Sequence, residues 1–267
     1  MGNAVVHFEV MAQDRKKLGT FYTDLFGWKI DTENPIGYGV IAHSDNHSKG
    51  GIGIGGGIFG DMPAGQDGVT FYVEVDDVET ALAQAEKLGG KRMMGPESAE
   101  GGPTFGHLLD PEGHWIGLFQ KGSGGDPARI PADAEPKGSP VVHFEVIGKS
   151  YDTLAGFYGG LFGWKANADN PMSYGVITRD DNLNADGIGI GGGIMGMPAE
   201  MLGESNGHVT WYVEVPDVEA ALARAQELGG QRLHGPDTVP GGGPTLGQFA
   251  DPEGHLVGVV QAGSMAS

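Results

Sequence analysis

The chain has 267 residues, which is enough for one large domain or two small ones. It carries 16 Lys and Arg against 35 Asp and Glu, and this formal net charge of −19 disfavours nucleic acid and anionic membranes as partners. The absence of cysteine excludes disulfides, thiolate catalysis and Cys-ligated metals, and without a long apolar stretch or a signal-peptide pattern we expect a cytoplasmic protein.

The first predicted elements follow the order β-α-β-β-β. Apolar residues alternate with His7 and Glu9 along 5–10, which is typical of a half-buried strand. Asp14 is placed to cap a helix with one apolar face, and Gly27 is placed to end it. Three short strands are expected at 28–31, 38–43 and 51–58.

The same order of elements then restarts. A strand is expected at 69–75, and a helix capped by Asp76 or Asp77 ends at Gly89. Three more strands are expected at 91–94, 104–109 and 114–120.

The whole arrangement occurs twice. The segment 5–10 returns letter for letter at 141–146, and 52–58 does so at 188–194. A repeat of this length indicates duplicated domains. We predict an α+β fold of four β-α-β-β-β modules, forming two tandem cupped mixed sheets of eight strands each that pack as a pseudo-dimer. The expected boundaries are domain 1 at 1–122, a Gly- and Pro-rich linker at 123–138 and domain 2 at 139–267.

Two repeated motifs have structural interpretations. The segment 51–56 matches G-x-G-x-x-G, but no long helix follows it, so we expect a glycine-rich strand instead of a dinucleotide site. The Asp-Pro-Glu-Gly-His sequence at 110–114 returns at 251–255. We expect its histidines, His114 and His255, in turns at the surface.

Strand alternation predicts a concave sheet face suited to a ligand. If Phe8, Phe71 and their apolar neighbours pack on the helices, the intervening residues face the other side. A carboxylate there is costly unless it is paired, so Glu9 and Glu145 are the candidate catalytic bases. The candidate ligand-binding residues are His7, Thr70, Tyr72, Glu74 and Trp115 in the first copy and His143, Thr210, Tyr212 and Glu214 in the second.

These motifs resemble the vicinal oxygen chelate superfamily, which includes glyoxalase I, bleomycin-resistance proteins, fosfomycin-resistance enzymes and extradiol dioxygenases. The resemblance rests on His7, the helix end at 21–28, the segment 75–78 and the turn at 110–114, which all recur in the second copy. It covers nearly the whole chain outside the linker and the tail, and it implies the tandem glyoxalase-like domains predicted above.

The resemblance also implies a divalent metal that acts as a Lewis acid and is held by His, Glu or Gln from the first, fourth, fifth and eighth strands. The fourth strand, the glycine run, offers no ligand-type side chain. At the first, fifth and eighth strands the matching residues are His7 and His143, then Thr70 and Thr210, then Gly117 and Gly258. One histidine cannot hold an ion that needs three or more protein ligands. We therefore expect a dismantled site and no cofactor, with weak metal binding through His7 or His143 as the alternative.

Three functions are open at this point. The first is a glyoxalase-like protein that acts on an α-oxo, carbonyl or aromatic metabolite by proton transfer through Glu9 or Glu145. The second is a non-catalytic protein that sequesters an antibiotic, as bleomycin-resistance-like proteins do. The third is a hydroxylase-like tailoring protein of polyketide metabolism. In each case the partner is a small molecule, and the chain is a monomer with an internal pseudo-dimer or a homodimer.

Overall fold

The computed structural model describes residues 1–99, 102–122, 129–203 and 205–264. Within these ranges, no helix combines the length and apolar character needed to cross a membrane. The beginning of the predicted linker, 123–128, lies outside the described residues. The rest of it, 129–138, contains no helix, and Lys137 pairs with His47 in an isolated bridge.

The first half contains the two predicted β-α-β-β-β modules. The first module consists of β1 (Val5–Met11), α1 (Arg15–Phe26), β2 (Ile30–Asp31), β3 (Gly39–Ile41) and β4 (Gly55–Phe59). The second consists of β5 (Gly68–Val75), α2 (Val78–Lys87), β6 (Lys91–Ser98), β7 (Thr104–Leu109) and β8 (Trp115–Gln120). Strand β6 continues to Ser98, beyond its predicted end at 94.

The second half repeats this order with one strand fewer among the described residues. Its elements are β9 (Val141–Gly148), α3 (Tyr151–Phe162), β10 (Gly175–Ile177), β11 (Gly191–Gly196), α4 (Ala199–Leu202), β12 (His208–Val215), α5 (Val218–Glu227), β13 (Gln231–Thr238), β14 (Thr245–Ala250) and β15 (Leu256–Gln261). The expectation of eight strands is therefore wrong here. The counterpart of β2 is reduced to a single bridge between Asn167 and Val176.

Each half forms one mixed sheet. The first has the order β2-β3-β4-β1-β5-β8-β7-β6, and the second has the order β10-β11-β9-β12-β15-β14-β13. The two modules of the first half join where the Glu74 amide donates to the Ala4 carbonyl at 2.8 Å. In the second half the Glu214 amide donates to the Pro140 carbonyl at 2.8 Å. The predicted α+β class with two mixed sheets is confirmed.

Local sequence signals set the helix ends. The Asp14 side chain accepts a hydrogen bond from the Lys17 amide, and Gly27 ends α1 in the left-handed conformation with φ 71°. In α3, Ser150 and Gly163 take the same two roles. Helix α1 thus begins and ends where the sequence predicts, and α3 has the same kinds of cap.

The glycine-rich strand accommodates aromatic rings on both of its faces. In β4, a Cβ at Gly56 would collide with the Phe8 ring, and a Cβ at Gly57 would collide with the Tyr38 ring. The absence of side chains at these two glycines therefore makes room for two rings, one on each side of the sheet. The predicted strand at 51–58 is thus only partly confirmed: Gly51 ends a short 3-10 helix, β4 begins at Gly55, and within the described residues no long helix directly follows it.

The chain divides into two compact units, and each unit combines a module of the first half with a module of the second. Unit 1 consists of Met1–Val6, Thr70–Ala128 and Phe144–Val209. Unit 2 consists of His7–Val69, Arg129–His143 and Thr210–Ser267. The predicted domain boundaries follow the sequence repeat, whereas these units follow the packing.

An aromatic core fills each unit. In unit 2 the Phe8 ring lies 5.1 Å from Trp28 and 4.9 Å from Trp211, so the two halves of the chain share this core. In unit 1 the Phe71 ring lies 4.7 Å from Phe144. The predicted packing of Phe8 and Phe71 on the helix side is confirmed, because both are fully buried in these cores.

A buried aspartate fastens a helix of one half to a turn of the other half in each unit. In unit 1, Asp110 Oδ2 accepts hydrogen bonds from Tyr158 Oη of α3 and from His114 Nδ1, both at 2.8 Å. In unit 2, Asp251 Oδ2 lies 2.8 Å from Tyr22 Oη of α1. We call each of these arrangements an aspartate clasp.

The clasps correct the expectation for the turn histidines. His114 and His255 are each 7% exposed, so they lie in turns but not at the surface. His255 Nδ1 lies 2.9 Å from Asp251 Oδ2, as His114 does from Asp110. A buried carboxylate needs such donors because its desolvation is otherwise uncompensated.

The glutamate of the same turn completes each clasp at the helix N-terminus. Glu253 accepts from the backbone amides of Gln13 at 2.7 Å and Asp14 at 2.8 Å, directly before α1. Glu112 accepts in the same way from the amides of Lys149 and Ser150 before α3. A carboxylate at this position also interacts favourably with the helix dipole.

We predict that the tyrosine of each clasp stabilises the fold. Replacing Tyr22 or Tyr158 by Phe removes a donor from a buried carboxylate, and each change should lower the free energy of unfolding by about 1–3 kcal/mol. Urea unfolding followed by circular dichroism measures this. Tyr151→Phe is the matched control, because the Tyr151 hydroxyl bonds only to the Ala166 carbonyl at a partly exposed position. Equal losses for all three variants would contradict the special role of the clasps.

Candidate functional site

The first candidate site lies in unit 2, on the face of β1 opposite Phe8. His7 Nε2 lies 2.7 Å from Tyr38 Oη, and the two rings stack. The Tyr38 hydroxyl also bonds to the Glu9 carboxylate. Because a carboxylate only accepts, the Tyr38 proton goes to Glu9, and His7 Nε2–H donates to Tyr38. We call this hydrogen-bonded chain of His7, Tyr38 and Glu9 the His7 relay.

Burial sets the protonation states in the His7 relay. Desolvation lowers the pKa of His7 from 6.5 to about 3, so its ring is neutral at pH 7. Desolvation, together with the charge and hydrogen bond of Glu9, raises the pKa of Tyr38 well above 10. Glu9 itself is 7% exposed. The relay therefore contains a buried carboxylate that is held by a tyrosine which keeps its proton.

The matching residues of the second half have different surroundings. His143 meets the edge of the Tyr212 ring at 5.8 Å, and Gln248 Nε2 donates to Tyr212 Oη at 2.8 Å. Burial lowers the pKa of His143 from 6.5 to about 4. Glu145 is only half-buried and belongs to unit 1. The two predicted bases, Glu9 and Glu145, are therefore not equivalent.

A second candidate site lies in unit 1, where β5, β7 and β8 place aromatic side chains on one face. Tyr72 Oη lies 2.7 Å from His107 Nε2, and the Trp115 ring lies 5.2 Å from the His107 ring. Phe119 stacks on Tyr72 at 4.3 Å. We call this set, together with Phe105, the aromatic wall.

His107 was missed among the sequence-predicted site residues. Two features of the sequence could have identified it. His107 alternates with apolar residues along β7, and the second half has Gln248 at the matching position. Burial lowers the pKa of His107 from 6.5 to about 4, so this ring is also neutral at pH 7.

The two predicted threonines bond to neighbouring backbone. Thr70 Oγ1 donates to the Trp115 carbonyl at 2.6 Å, and Thr210 Oγ1 donates to the Leu256 carbonyl at 2.8 Å. Both threonines are fully buried. Thr70 thereby links β5 to β8, and Thr210 links β12 to β15.

The glutamates at the ends of β5 and β12 contact loops from the opposite half of the chain. Glu74 Oε2 accepts from Asn184 Nδ2 at 3.2 Å in unit 1, and Glu214 Oε1 accepts from Ser48 Oγ at 2.5 Å in unit 2. Glu74 also lines an open cavity of about 260 Å³ with Asn3 and Lys121. Each of these carboxylates thus lies where a module of one half contacts a module of the other half within the same unit.

The residues at the family's metal positions do not fit a divalent ion. Thr70 and Thr210 are already engaged with backbone carbonyls. A Cβ at Gly117 would collide with the Tyr72 ring, and a Cβ at Gly258 would collide with the Tyr212 ring. A tyrosine ring therefore fills the space where the eighth-strand carboxylate would begin, and too few donors remain for a site of three or more ligands.

Among the described residues, one group of three His, Asp or Glu side chains has ligand atoms within 4.8 Å of one another: Asp67, Glu253 and His255. Hydrogen bonds account for this group. His255 Nε2 lies 3.2 Å from Asp67 Oδ2 and Glu253 binds the amides before α1. Although burial opposes it, bonding to Asp251 and Asp67 raises the pKa of His255. The group behaves as an ion pair within the clasp of unit 2.

Comparison with known families assigns both halves. Residues 4–118 match the model described as the Glyoxalase/Bleomycin resistance protein/Dioxygenase superfamily, and residues 146–260 match a Glyoxalase-like domain. The chain belongs to this superfamily, as the sequence motifs indicated. It is also 26% identical, over 95% of its length and 92% of theirs, to proteins named "Putative glyoxylase CFP32" in Mycobacterium bovis and Mycobacterium tuberculosis.

Solved structures share the tandem fold. The 2,2',3-trihydroxybiphenyl 1,2-dioxygenase of Sphingomonas wittichii matches 100% of this chain and 92% of its own, with 14% identity and a TM-score of 0.61. The Mn(II)-bound glyoxalase of Novosphingobium aromaticivorans matches 98% of this chain and 82% of its own, with 17% identity and a TM-score of 0.56. At these identities the likeness concerns the fold.

We predict that the buried neutral histidines make the protein acid-sensitive. His7, His107 and His143 have folded pKa values of about 3, 4 and 4 against 6.5 ordinarily. Below pH 6.5 the unfolded chain therefore binds protons that the folded chain does not, and the free energy of unfolding falls with falling pH. The limiting slope is about 1.4 kcal/mol per pH unit for each histidine.

Urea unfolding between pH 7 and pH 5 measures this slope, and His107→Gln should reduce it. His255 acts with the opposite sign, because its raised pKa gives stability that is present below pH 6.5 and lost as the pH rises through the folded value. His208, whose pKa burial lowers from 6.5 to about 4, contributes with the same sign, and a free energy of unfolding that stays constant from pH 7 to pH 5 would contradict these lowered pKa values.

Proposed function

We propose that the chain is a glyoxalase-like protein that acts on a small α-oxo or aromatic carbonyl compound by proton transfer, with no divalent metal at the family's usual position. The observation that carries this proposal is the His7 relay. A buried carboxylate costs free energy unless it is paired or used, and Glu9 is held in place by Tyr38, which is itself bonded to His7.

The chemistry assigned to the relay is that of a general base. Glu9 takes the proton from a carbon next to a carbonyl and returns it to the same or the neighbouring carbon. Tyr38 keeps its own proton and fixes the orientation of the carboxylate, while the neutral His7 positions Tyr38. Glu145 is the corresponding base of the second half, in a more exposed setting.

The comparisons support the class of substrate. The mycobacterial relatives carry the name glyoxylase, which is consistent with a carbonyl substrate. The similar dioxygenase acts on a hydroxylated biphenyl, according to its name, which is consistent with a flat aromatic ligand. Inheritance of a fold alone does not carry an activity, so the proposal depends on the relay.

A second candidate function is sequestration of an aromatic antibiotic without catalysis. The aromatic wall favours it, because Tyr72, Phe119 and Trp115 offer flat apolar surfaces for stacking. The net charge of −19 further favours a cationic ligand. The two candidates differ in one respect that can be measured, which is whether Glu9 exchanges a proton with the ligand.

We predict that the protein catalyses exchange of the CH₂ protons of 2-hydroxyacetophenone with D₂O, measured by proton NMR. Glu9→Gln should lower the exchange rate about 100-fold or more, since it removes the general base while keeping the shape of the side chain. Tyr38→Phe should lower it less, because it removes only the group that orients Glu9.

Two variants serve as controls for this experiment. Glu145→Gln tests the corresponding base, and a selective loss in Glu9→Gln assigns the reaction to the first half. Glu33→Gln changes an exposed carboxylate outside the relay and should leave the rate unchanged. No exchange above the rate in buffer, or full exchange in both Glu9→Gln and Glu145→Gln, would refute the proposed base.

We also predict that the purified protein holds far less than one equivalent of Zn, Ni, Fe or Mn per half. The reason is that threonines and glycines stand where the family resemblance implies His, Glu or Gln ligands. Elemental analysis gives the metal content, and EDTA treatment should leave the melting temperature unchanged. A stoichiometric metal that EDTA removes together with the activity would contradict the proposal.

A further inference from the structure

The aromatic wall of unit 1 contains two buried nitrogen atoms without partners among the described residues. They are His107 Nδ1 and Trp115 Nε1. The other ring nitrogen of His107 is engaged with Tyr72 Oη at 2.7 Å, so the imidazole cannot turn over without losing that bond. The indole N–H is a donor only. Both atoms are costly in this state, and each requires an explanation.

The two nitrogens belong to neighbouring rings on one sheet face. His107 pairs with Gly117 across β7 and β8, and Leu109 pairs with Trp115, so His107 and Trp115 are diagonal neighbours. Their ring centroids lie 5.2 Å apart. Phe105 lies 5.8 Å from His107 and completes an apolar border. The wall thus combines flat aromatic surfaces with two nitrogen atoms that have no hydrogen-bond partner among the described residues.

The fold does not require this arrangement, because the second half lacks it. The residues at the matching positions are Leu246 for Phe105, Gln248 for His107, Leu256 for Trp115 and Val260 for Phe119. Only the tyrosine is kept, and Gln248 Nε2 donates to Tyr212 Oη at 2.8 Å. Tyr212, Leu246 and Val260 pack together as an apolar cluster. The polar and aromatic features are therefore specific to the first half.

We propose that Tyr72, His107 and Trp115 form a binding site for one planar aromatic ketone per chain, whose carbonyl oxygen accepts the Trp115 N–H. The ligand ring lies against the aromatic wall, and His107 Nδ1, when it carries the ring proton, supplies a second donor to the same oxygen. Trp115 is partly exposed, which leaves part of its ring open to a ligand. This site goes beyond the proposed function, because it belongs to unit 1 and needs no residue of the His7 relay.

The experiment is a calorimetric titration of the full chain with 2-acetylnaphthalene and with 2-isopropenylnaphthalene. The second compound has the same shape but no acceptor oxygen. We expect one site per chain for the ketone and an affinity about tenfold lower for the alkene, which corresponds to the loss of one hydrogen bond. Quenching of tryptophan fluorescence gives an independent reading.

Two substitutions locate the site. Trp115→Phe removes the N–H while it keeps a ring, and it should weaken ketone binding about tenfold and leave alkene binding nearly unchanged. His107→Gln introduces the residue of the second half and should also weaken ketone binding, so the proposal remains testable if one variant fails to fold. The matched control is Gln248→Leu, which alters the second half and should bind the ketone normally.

The outcomes are separate from those of the proton-transfer experiment, because binding is measured without turnover. Ketone binding with tenfold discrimination but no proton exchange supports this site and removes Glu9 as a base. Exchange without any preference for the ketone over the alkene overturns this site and leaves the base in place. Two ketone sites per chain, unchanged binding in both Trp115→Phe and His107→Gln, or no binding of either probe would also overturn it.

Discussion

The structure depends on a carboxylate buried between the halves of the chain. Within unit 1, Asp110 accepts from Tyr158 of one half and His114 of the other, and within unit 2 Asp251 does the same for Tyr22 and His255. A buried aspartate without these donors would be strongly unfavourable. These hydrogen bonds therefore favour packing in which the helix and the turn of a unit come from different halves of the chain. The aromatic core of each unit forms around its aspartate.

Because the chain is duplicated, the matching sheet faces of its two halves can carry different side chains. Tyrosine rings lie over Gly117 and Gly258, the positions at which the family resemblance implies a metal ligand. Within unit 2, the histidine of the first strand is a hydrogen-bonding partner of Tyr38. The first half adds His107 and Trp115 to its tyrosine, whereas the second half adds aliphatic residues. One fold thus carries two unequal sites.

The sequence predicted most of the fold because periodicity and capping are local properties. The strand of His7, the helix ends at Asp14 and Gly27, and the glycine-rich strand all follow from neighbouring residues. The burial of His114 was not predicted, because its partner Asp110 is also bonded to Tyr158, which lies 48 positions from Asp110 in a different module. The role of His107 was missed for a similar reason, since its significance depends on Tyr72 across the sheet. The sequence predicted only part of the relay. Strand alternation placed His7 and Glu9 on one sheet face, but the pattern did not indicate Tyr38.

We propose that His7 serves the hydrogen-bonded relay and does not bind a metal. The most direct test is ¹⁵N NMR of the His7 imidazole at pH 7 with and without one equivalent of Mn²⁺. We expect the His7 ring to be neutral with its proton on Nε2, and its resonances to stay sharp when Mn²⁺ is added. Paramagnetic broadening of the His7 resonances at one equivalent, with those of His114 unaffected, would contradict it.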